Sequence, residues 1–138
     1  MLKENDAHAR HSLALVFPVY NEEEVLPQLM EEVQRFREKN PYVEQVIFVD
    51  DGSKDRSVEL IKDLASGDNG VVLLQFSRNF GHQLAITAGI SLVKTDAAVI
   101  LDADLQDPLE VVDEMVSKWR EGFDVVYGQR IKREGEKS

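Results

Sequence analysis

Five short apolar runs alternate along this chain with four segments whose apolar residues recur at helical spacing. No other feature constrains the fold as strongly. Two parallel strands need a long crossover between them, and a helix is the usual one. Repeated, that unit builds an α/β fold: an open, mostly parallel, doubly wound sheet with helices on both faces. The runs are SLALVFPVY (12–20), EQVIFVD (44–50), GVVLLQFS (70–77), AAVILDA (97–103) and DVVYGQR (124–130). The fourth is the most apolar and is expected at the centre of the sheet, where both faces are covered.

The helical segments carry their own punctuation. In 21–40, Val25, Leu29, Val33 and Phe36 fall on one face with Leu26 and Met30 beside them. Pro27 belongs in the first turn, where a missing N–H costs little, and Asn40-Pro41 ends the helix. In 55–66, Val58, Ile61, Leu64 and Ala65 point inward. The small residues of HQLAITAGISLVK (82–94) suit close packing on a sheet. In 107–122, Asp107 is the expected cap, with Pro108 at the first position, Glu110 completing a capping box and Gly122 ending the helix. Val111, Val112, Met115 and Trp119 there read as core.

The 138 residues suffice for one domain with a real core. The expected layout is a loose lead-in over 1–11, a folded unit over 12–130 and a polar tail over 131–138. A net charge of −10 speaks against sequence-independent binding to nucleic acid, which needs a cationic footprint. The absence of cysteine excludes disulfides, thiolate catalysis and Cys-type zinc sites. No apolar run approaches the roughly 18–20 residues that cross a bilayer, and no signal peptide is evident. The default location is cytoplasmic.

In open α/β sheets, ligands bind beyond the carboxyl ends of the strands. The chemically unusual residues fall there: PVYNE (18–22), DDGSKD (50–55), SRNFGH (77–82) and DADLQD (102–107). Asn21, Ser53 or Asp55, and Asp107 are all competent helix caps. Capping does not account for Asp102 and Asp104, which lie two apart and so share a strand face. Paired carboxylates at a low-dielectric rim favour a cation between them. Hard oxygen ligands suit Mg²⁺ or Mn²⁺, and Gln106 offers a further oxygen. Asp50 and Asp51 extend the rim, where a carboxylate can accept from a nucleobase. Tyr20 either stacks on a base or covers the core. Arg78 is placed to meet a phosphate, and His82 reads as a helix-start residue. The Gly-rich dinucleotide fingerprint and the phosphate loop of ATPases are absent.

The segments VFPVYNEEEVL, VIFVDDGSKDRS, SRNFGHQLAITAG, ILDADLQDPLE and DVVYGQR resemble the serial motifs of family 2 glycosyltransferases. They most resemble the subgroup that makes polyprenyl-phosphate sugars, the dolichol-phosphate mannose synthases and bacterial undecaprenyl-phosphate glycosyltransferases. The resemblance covers about residues 12–130 and implies the A-type nucleotide-sugar fold. It implies a nucleoside pocket lined by Pro18, Tyr20 and Glu22, with Asp50 at the base. It implies a divalent metal, Mg²⁺ or Mn²⁺, held on the diphosphate by the catalytic pair Asp102 and Asp104 with Gln106. It also implies that Arg130 is directed towards the acceptor phosphate. The implied reaction passes a sugar from a UDP- or GDP-sugar to a polyprenyl phosphate with inversion.

Members of this kind continue well past the last strand. The expectation is therefore a piece of a longer protein that holds mainly the donor half, turns over little alone, and in full length works at the cytoplasmic face of the membrane. A homo-oligomer stays open. Two rivals compete: a receiver-like Mg²⁺-binding phosphoacceptor domain, and an inactive nucleotide-binding module. The receiver pattern wants an acidic pair after the first strand and a lysine after the fifth; here those places hold PVYNE and GQR.

Overall fold

The first apolar run becomes the best-buried strand. In a computed structural model that describes residues 12–105 and 108–121, β1 (Leu13–Val19) is buried at every position. After it come α1 (Leu26–Lys39), β2 (Val43–Asp50), α2 (Ser57–Ser66), β3 (Val71–Gln75), α3 (His82–Ser91), β4 (Ala97–Ile100) and α4 (Glu110–Arg120). All described strand pairs are parallel, and the order is β3-β2-β1-β4. The α/β alternation and the parallel sheet are as expected. The expected strand at 124–130, with Asp107 and Gly122, lies outside the described residues.

One expectation is corrected. β4 is not central among the described strands. It pairs with β1 through Leu13↔Ala97 to Val16↔Ile100 and ends the order, and only Val99 of its four residues is buried. β1 and β2 form the centre, in register from Ala14↔Gln45 to Val19↔Asp50. The physical reason is topological. Hydropathy reports how well a run can be buried, and two alanines inflate it in β4, whereas strand order follows from pairing between distant segments. β4 also ends at Ile100, short of the expected 103, although the Leu101 N–H still donates to the Val16 carbonyl at 2.9 Å.

The pleat sorts side chains into two layers. Leu13, Leu15, Phe17 and Val19 join Val46 and Phe48 on one face, beneath Leu26, Leu29, Val33 and Phe36 of α1, Ile61 of α2 and Val112, Met115 and Val116 of α4. Phe17 and Phe48 stack with centroids 5.4 Å apart. Ala14, Val16, Ile47 and Val49 occupy the other face, against Ala85 of α3. Gly89 explains the small-residue character of that helix: a Cβ there would stand 2.6 Å from Val16 Cγ1. Helix ends match in part. Pro27 sits in the first turn of α1 and the helix ends at Lys39. α4 begins at Glu110, so Pro108 precedes the helix, and no side chain caps it.

Candidate functional site

The strand order places the site. The chain builds outward from β1 to β2 to β3, then returns to the far side of β1 for β4. The reversal falls between β1 and β4, and the crevice above such a point is where doubly wound sheets bind ligands. A cleft of about 380 Å³ opens there. Pro18, Tyr20 and Glu22 enter it from the end of β1, and Asp102 and Asp104 from beyond β4. Ala103 between the two aspartates is 2% exposed, so the alternation of in and out continues past the strand. Tyr20 is 44% exposed and lines the cleft.

The cleft is acidic. The Glu22 carboxyl is pushed above its ordinary value first by burial, then by the charges of Asp104, Asp102 and Asp55. Three carboxylates thus feel one another across the crevice. Among the described residues, no three His, Cys, Asp or Glu side chains are gathered closely enough to cage an ion. A pair of carboxylates with open positions suits Mg²⁺ or Mn²⁺, which keep several waters, better than a cation that needs a full protein cage. Gln106 and Arg130 lie outside the described residues.

The cap candidates do something else. The Asn21 N–H donates to Ser53 Oγ (2.7 Å), and its Oδ1 accepts from the Lys54 N–H (2.8 Å). The Glu22 N–H donates to Ser57 Oγ, the Glu23 N–H to Asp55 Oδ2, and the Arg56 N–H to Glu23 Oε1. No side chain caps α1 or α2. The loops after β1 and β2 are instead laced together, and Asn21 takes the left-handed φ of 54° that asparagine tolerates. Burial pushes the Asp55 carboxyl up, but the bonds from Ser57 and Glu23 more than reverse this and hold it below its ordinary value. Local sequence gave no sign of the lacing, which depends on β1 and β2 lying side by side.

Asp50 and Asp51 part ways. Asp50 is fully buried, does not line the cleft, and accepts the Gly52 and Ser53 N–H groups on Oδ2, while Oδ1 has no hydrogen-bond partner. Asp51 lines the cleft and also accepts from the loop after β3. Gly52, at φ +82°, lets that loop come close: a Cβ would lie 2.3 Å from the Arg78 carbonyl carbon. Arg78 does not line the cleft; its guanidinium lies 4.1 Å over the Phe80 ring. His82 is the first residue of α3, as expected, and it does line the cleft, as does Asn79, which sequence reasoning missed.

A parallel open sheet with an acidic crevice at its switch point is a doubly wound, Rossmann-like architecture. Comparison with solved structures agrees on the fold. A mannosyltransferase of Pyrobaculum calidifontis, in complex with GDP-Man and Mn²⁺, superposes with a TM-score of 0.62 over 75% of this chain and 31% of its own, at 18% identity. The family described as Glycosyl transferase family 2 matches residues 14–138, and the chain belongs to it. The uncharacterized glycosyltransferase YkcC of Bacillus subtilis is 46% identical over 93% of this chain. The bactoprenol glucosyl transferase of Shigella phage SfV is 43% identical over 88%. The chain spans about 40% of the length of these relatives. Membership sets aside the receiver-like reading. No helix among the described residues is long and apolar enough to cross a membrane.

Proposed function

We propose that this chain is the donor-binding part of an inverting glycosyltransferase that moves a sugar from a UDP- or GDP-sugar to a polyprenyl phosphate. The observation that carries the reading is the position of Asp102 and Asp104, facing Glu22 and Tyr20 across the crevice at the strand reversal. The bactoprenol glucosyl transferase among the relatives supports the lipid-phosphate acceptor, and the GDP-Man and Mn²⁺ of the structural neighbour support the donor and the cation.

The residues present fit a hard divalent ion. Asp102 and Asp104 would hold it, with Gln106 as a third oxygen. Such an ion supplies Lewis-acid neutralisation of charge that develops on a leaving diphosphate. The chain's own groups do the rest. Pro18 and Glu22 shape the nucleoside end, and Tyr20 offers its exposed ring to the base. Asp50 orders the turn from beneath, and Asp51 meets the cleft directly. Arg78 reaches a phosphate by leaving the face of Phe80. The acceptor phosphate is already anionic, so positioning rather than proton removal contributes most of the acceleration; Arg130 is the group assigned to it. The whole protein works at the cytoplasmic face of a membrane, where a polyprenyl phosphate resides.

The test is thermal unfolding of the chain with UDP, GDP, UDP-glucose and GDP-mannose, each with and without Mn²⁺. A ligand that binds only the folded state raises the midpoint according to its affinity. The expected result is a Mn²⁺-dependent rise with one nucleotide class, lost in Asp104→Ala. A rise that does not depend on metal, or survives that substitution, overturns the reading.

A further inference from the structure

One wall of the cleft depends on how the chain leaves β1. The strand ends at Val19, and the Glu22 carbonyl already accepts from the Val25 and Leu26 N–H groups at 3.1 and 3.0 Å, in the approach to α1. Tyr20 and Asn21 therefore make the change of direction between them. Among the described residues, Asn21 is the one side-chain-bearing position with a positive φ, 54°, in the left-handed region. Its neighbours Tyr20 and Glu22 both line the cleft, whereas Asn21 does not. Tyr20 is exposed and belongs to neither apolar layer of the sheet, so core packing does not set the direction of its ring. The backbone beside it must do so.

Asn21 is gripped from the loop after β2. Its N–H donates to Ser53 Oγ at 2.7 Å, and its Oδ1 accepts the Lys54 N–H at 2.8 Å. The gripping turn is fixed from below. Oδ2 of the fully buried Asp50 accepts the Ser53 N–H at 2.9 Å and the Gly52 N–H at 3.2 Å. A line of hydrogen bonds thus runs from the end of β2 through Ser53 to the residue beside Tyr20. Asparagine suits the place on two counts. It visits the left-handed region more readily than most side-chain-bearing residues, and its amide oxygen gives the Lys54 N–H an acceptor. We infer that Asn21 is a positioning residue for the nucleoside. It holds the bend that aims the Tyr20 ring at the nucleobase, and it acts through Tyr20 without lining the cleft. This rests on the donor-cleft reading and adds to it a residue that local sequence marks only as a helix cap; no side chain caps α1. Glu22 has an anchor of its own, its N–H on Ser57 Oγ at 2.8 Å. Asp102 and Asp104 enter from beyond β4. The grip on Asn21 therefore governs contacts to the nucleoside and leaves contacts to the diphosphate alone.

The experiment uses the 138-residue chain as wild type, Asn21→Gly and Asn21→Ala. UDP, GDP and inorganic pyrophosphate are the probes, each with Mn²⁺. Glycine keeps the left-handed bend and loses only the amide acceptor, so it reports even where the alanine variant folds poorly; alanine loses both. Affinity for the nucleotide that binds the wild type is expected to fall about threefold in Asn21→Gly and about tenfold or more in Asn21→Ala. Affinity for pyrophosphate stays within about twofold in both. The Lys54 amide exchanges about tenfold faster in both variants, while the Val16 and Phe48 amides stay protected. In the chain without ligand, the NMR ring signals of Tyr20 shift in Asn21→Ala and shift less in Asn21→Gly. Pyrophosphate affinity that falls in step with the nucleotide means a damaged cleft and overturns the nucleoside role. A loss in Asn21→Ala no greater than in Asn21→Gly overturns the bend as the device. Unchanged exchange at Lys54 overturns the grip. If the wild type binds neither UDP nor GDP, the donor reading fails. The Tyr20 ring signals, read without ligand, then decide whether Asn21 aims that ring, and signals that hold in both variants overturn it.

Discussion

The two ends of the sheet treat their aspartates differently. At the amino ends of the strands, charged and polar side chains pair with one another. Asp68, before β3, accepts from Arg37 of α1. Asp96, before β4, accepts from the Ser12 hydroxyl at 2.7 Å. The Tyr42 hydroxyl, before β2, donates to Asp113 at 2.6 Å with Arg120 over the ring. At the carboxyl ends, Asp50, Asp51 and Asp55 are met by N–H groups instead. N–H donors satisfy a carboxylate without cancelling its charge. Of these carboxylates only Asp68 meets an opposite charge, from Arg37, whereas the carboxyl ends keep a negative potential aimed into a crevice. A diphosphate would be repelled there unless a cation came with it.

The largest expected effect breaks this contrast at its sharpest point. Asp104→Ala removes a charge from the crevice and, on the proposed reading, an oxygen from the ion. Nucleotide affinity in Mn²⁺ should fall more than about 100-fold, since even outer-sphere partners of a metal cost about 10–100-fold. Asp104 is exposed, so stability should move by less than about 0.5 kcal/mol. Calorimetric titration beside urea unfolding checks both halves. Intact binding with lost stability would make this end a structural one like the other.

Next come two changes that unpick the woven loops. Gly52→Ala puts a Cβ against the backbone of Arg78 and Asn79 at a φ that L-residues resist. Left-handed strain alone costs about 1–3 kcal/mol, and the clash adds to it, so urea unfolding should show a loss at or above the top of that range. Ser57→Ala is milder. Ser57 is fully buried and its Oγ accepts the Glu22 N–H at 2.8 Å. Leaving that N–H unpaired costs about 1–3 kcal/mol. A drop in the urea midpoint with weaker nucleotide binding would tie the lacing to the cleft; a drop in stability with binding unchanged would confine it to the fold.

The order of strands and helices was legible because period and punctuation are local: Pro27 and Asn40 mark the ends of α1 where they stand. So was the acidic rim, since Asp102 and Asp104 cannot both be helix caps. What stayed hidden depends on neighbours distant in sequence. The place of β4 at the end of the described order follows from its pairing with β1. Asn21, Ser53, Asp55 and Ser57 look like cap residues, and only the adjacency of β1 and β2 turns them into a lattice. Asp50 and Asp51 are a starker case. Side chains of consecutive extended residues point to opposite sides, so one enters the sheet's interior and the other the cleft, and nothing in the dipeptide says which.

The smallest expected effect lies at the amino ends of the strands, and it is a matter of pH. Burial alone would raise the Asp68 carboxyl, but the hydrogen bond from Arg37, the Gly70 N–H and the Arg37 charge hold it below its ordinary 3.8. A depressed folded value means the unfolded chain takes up the proton first. The contribution of the pair is therefore present above 3.8 and is lost as pH falls through the lower folded value. Asp68→Asn should remove that part of the acid sensitivity. It should cost less than about 1 kcal/mol at neutral pH, because the pair is partly open to solvent, and the cost should vanish in acid. Urea midpoints of wild type and variant, followed from neutral pH downward, should converge. Nucleotide binding at neutral pH should not change, because Asp68 stands at the far end of the strands from the cleft. Curves that stay parallel into acid would mean that Arg37 and Asp68 do not act as an ion pair, and the contrast between the two ends would lose its clearest instance of charge met by charge.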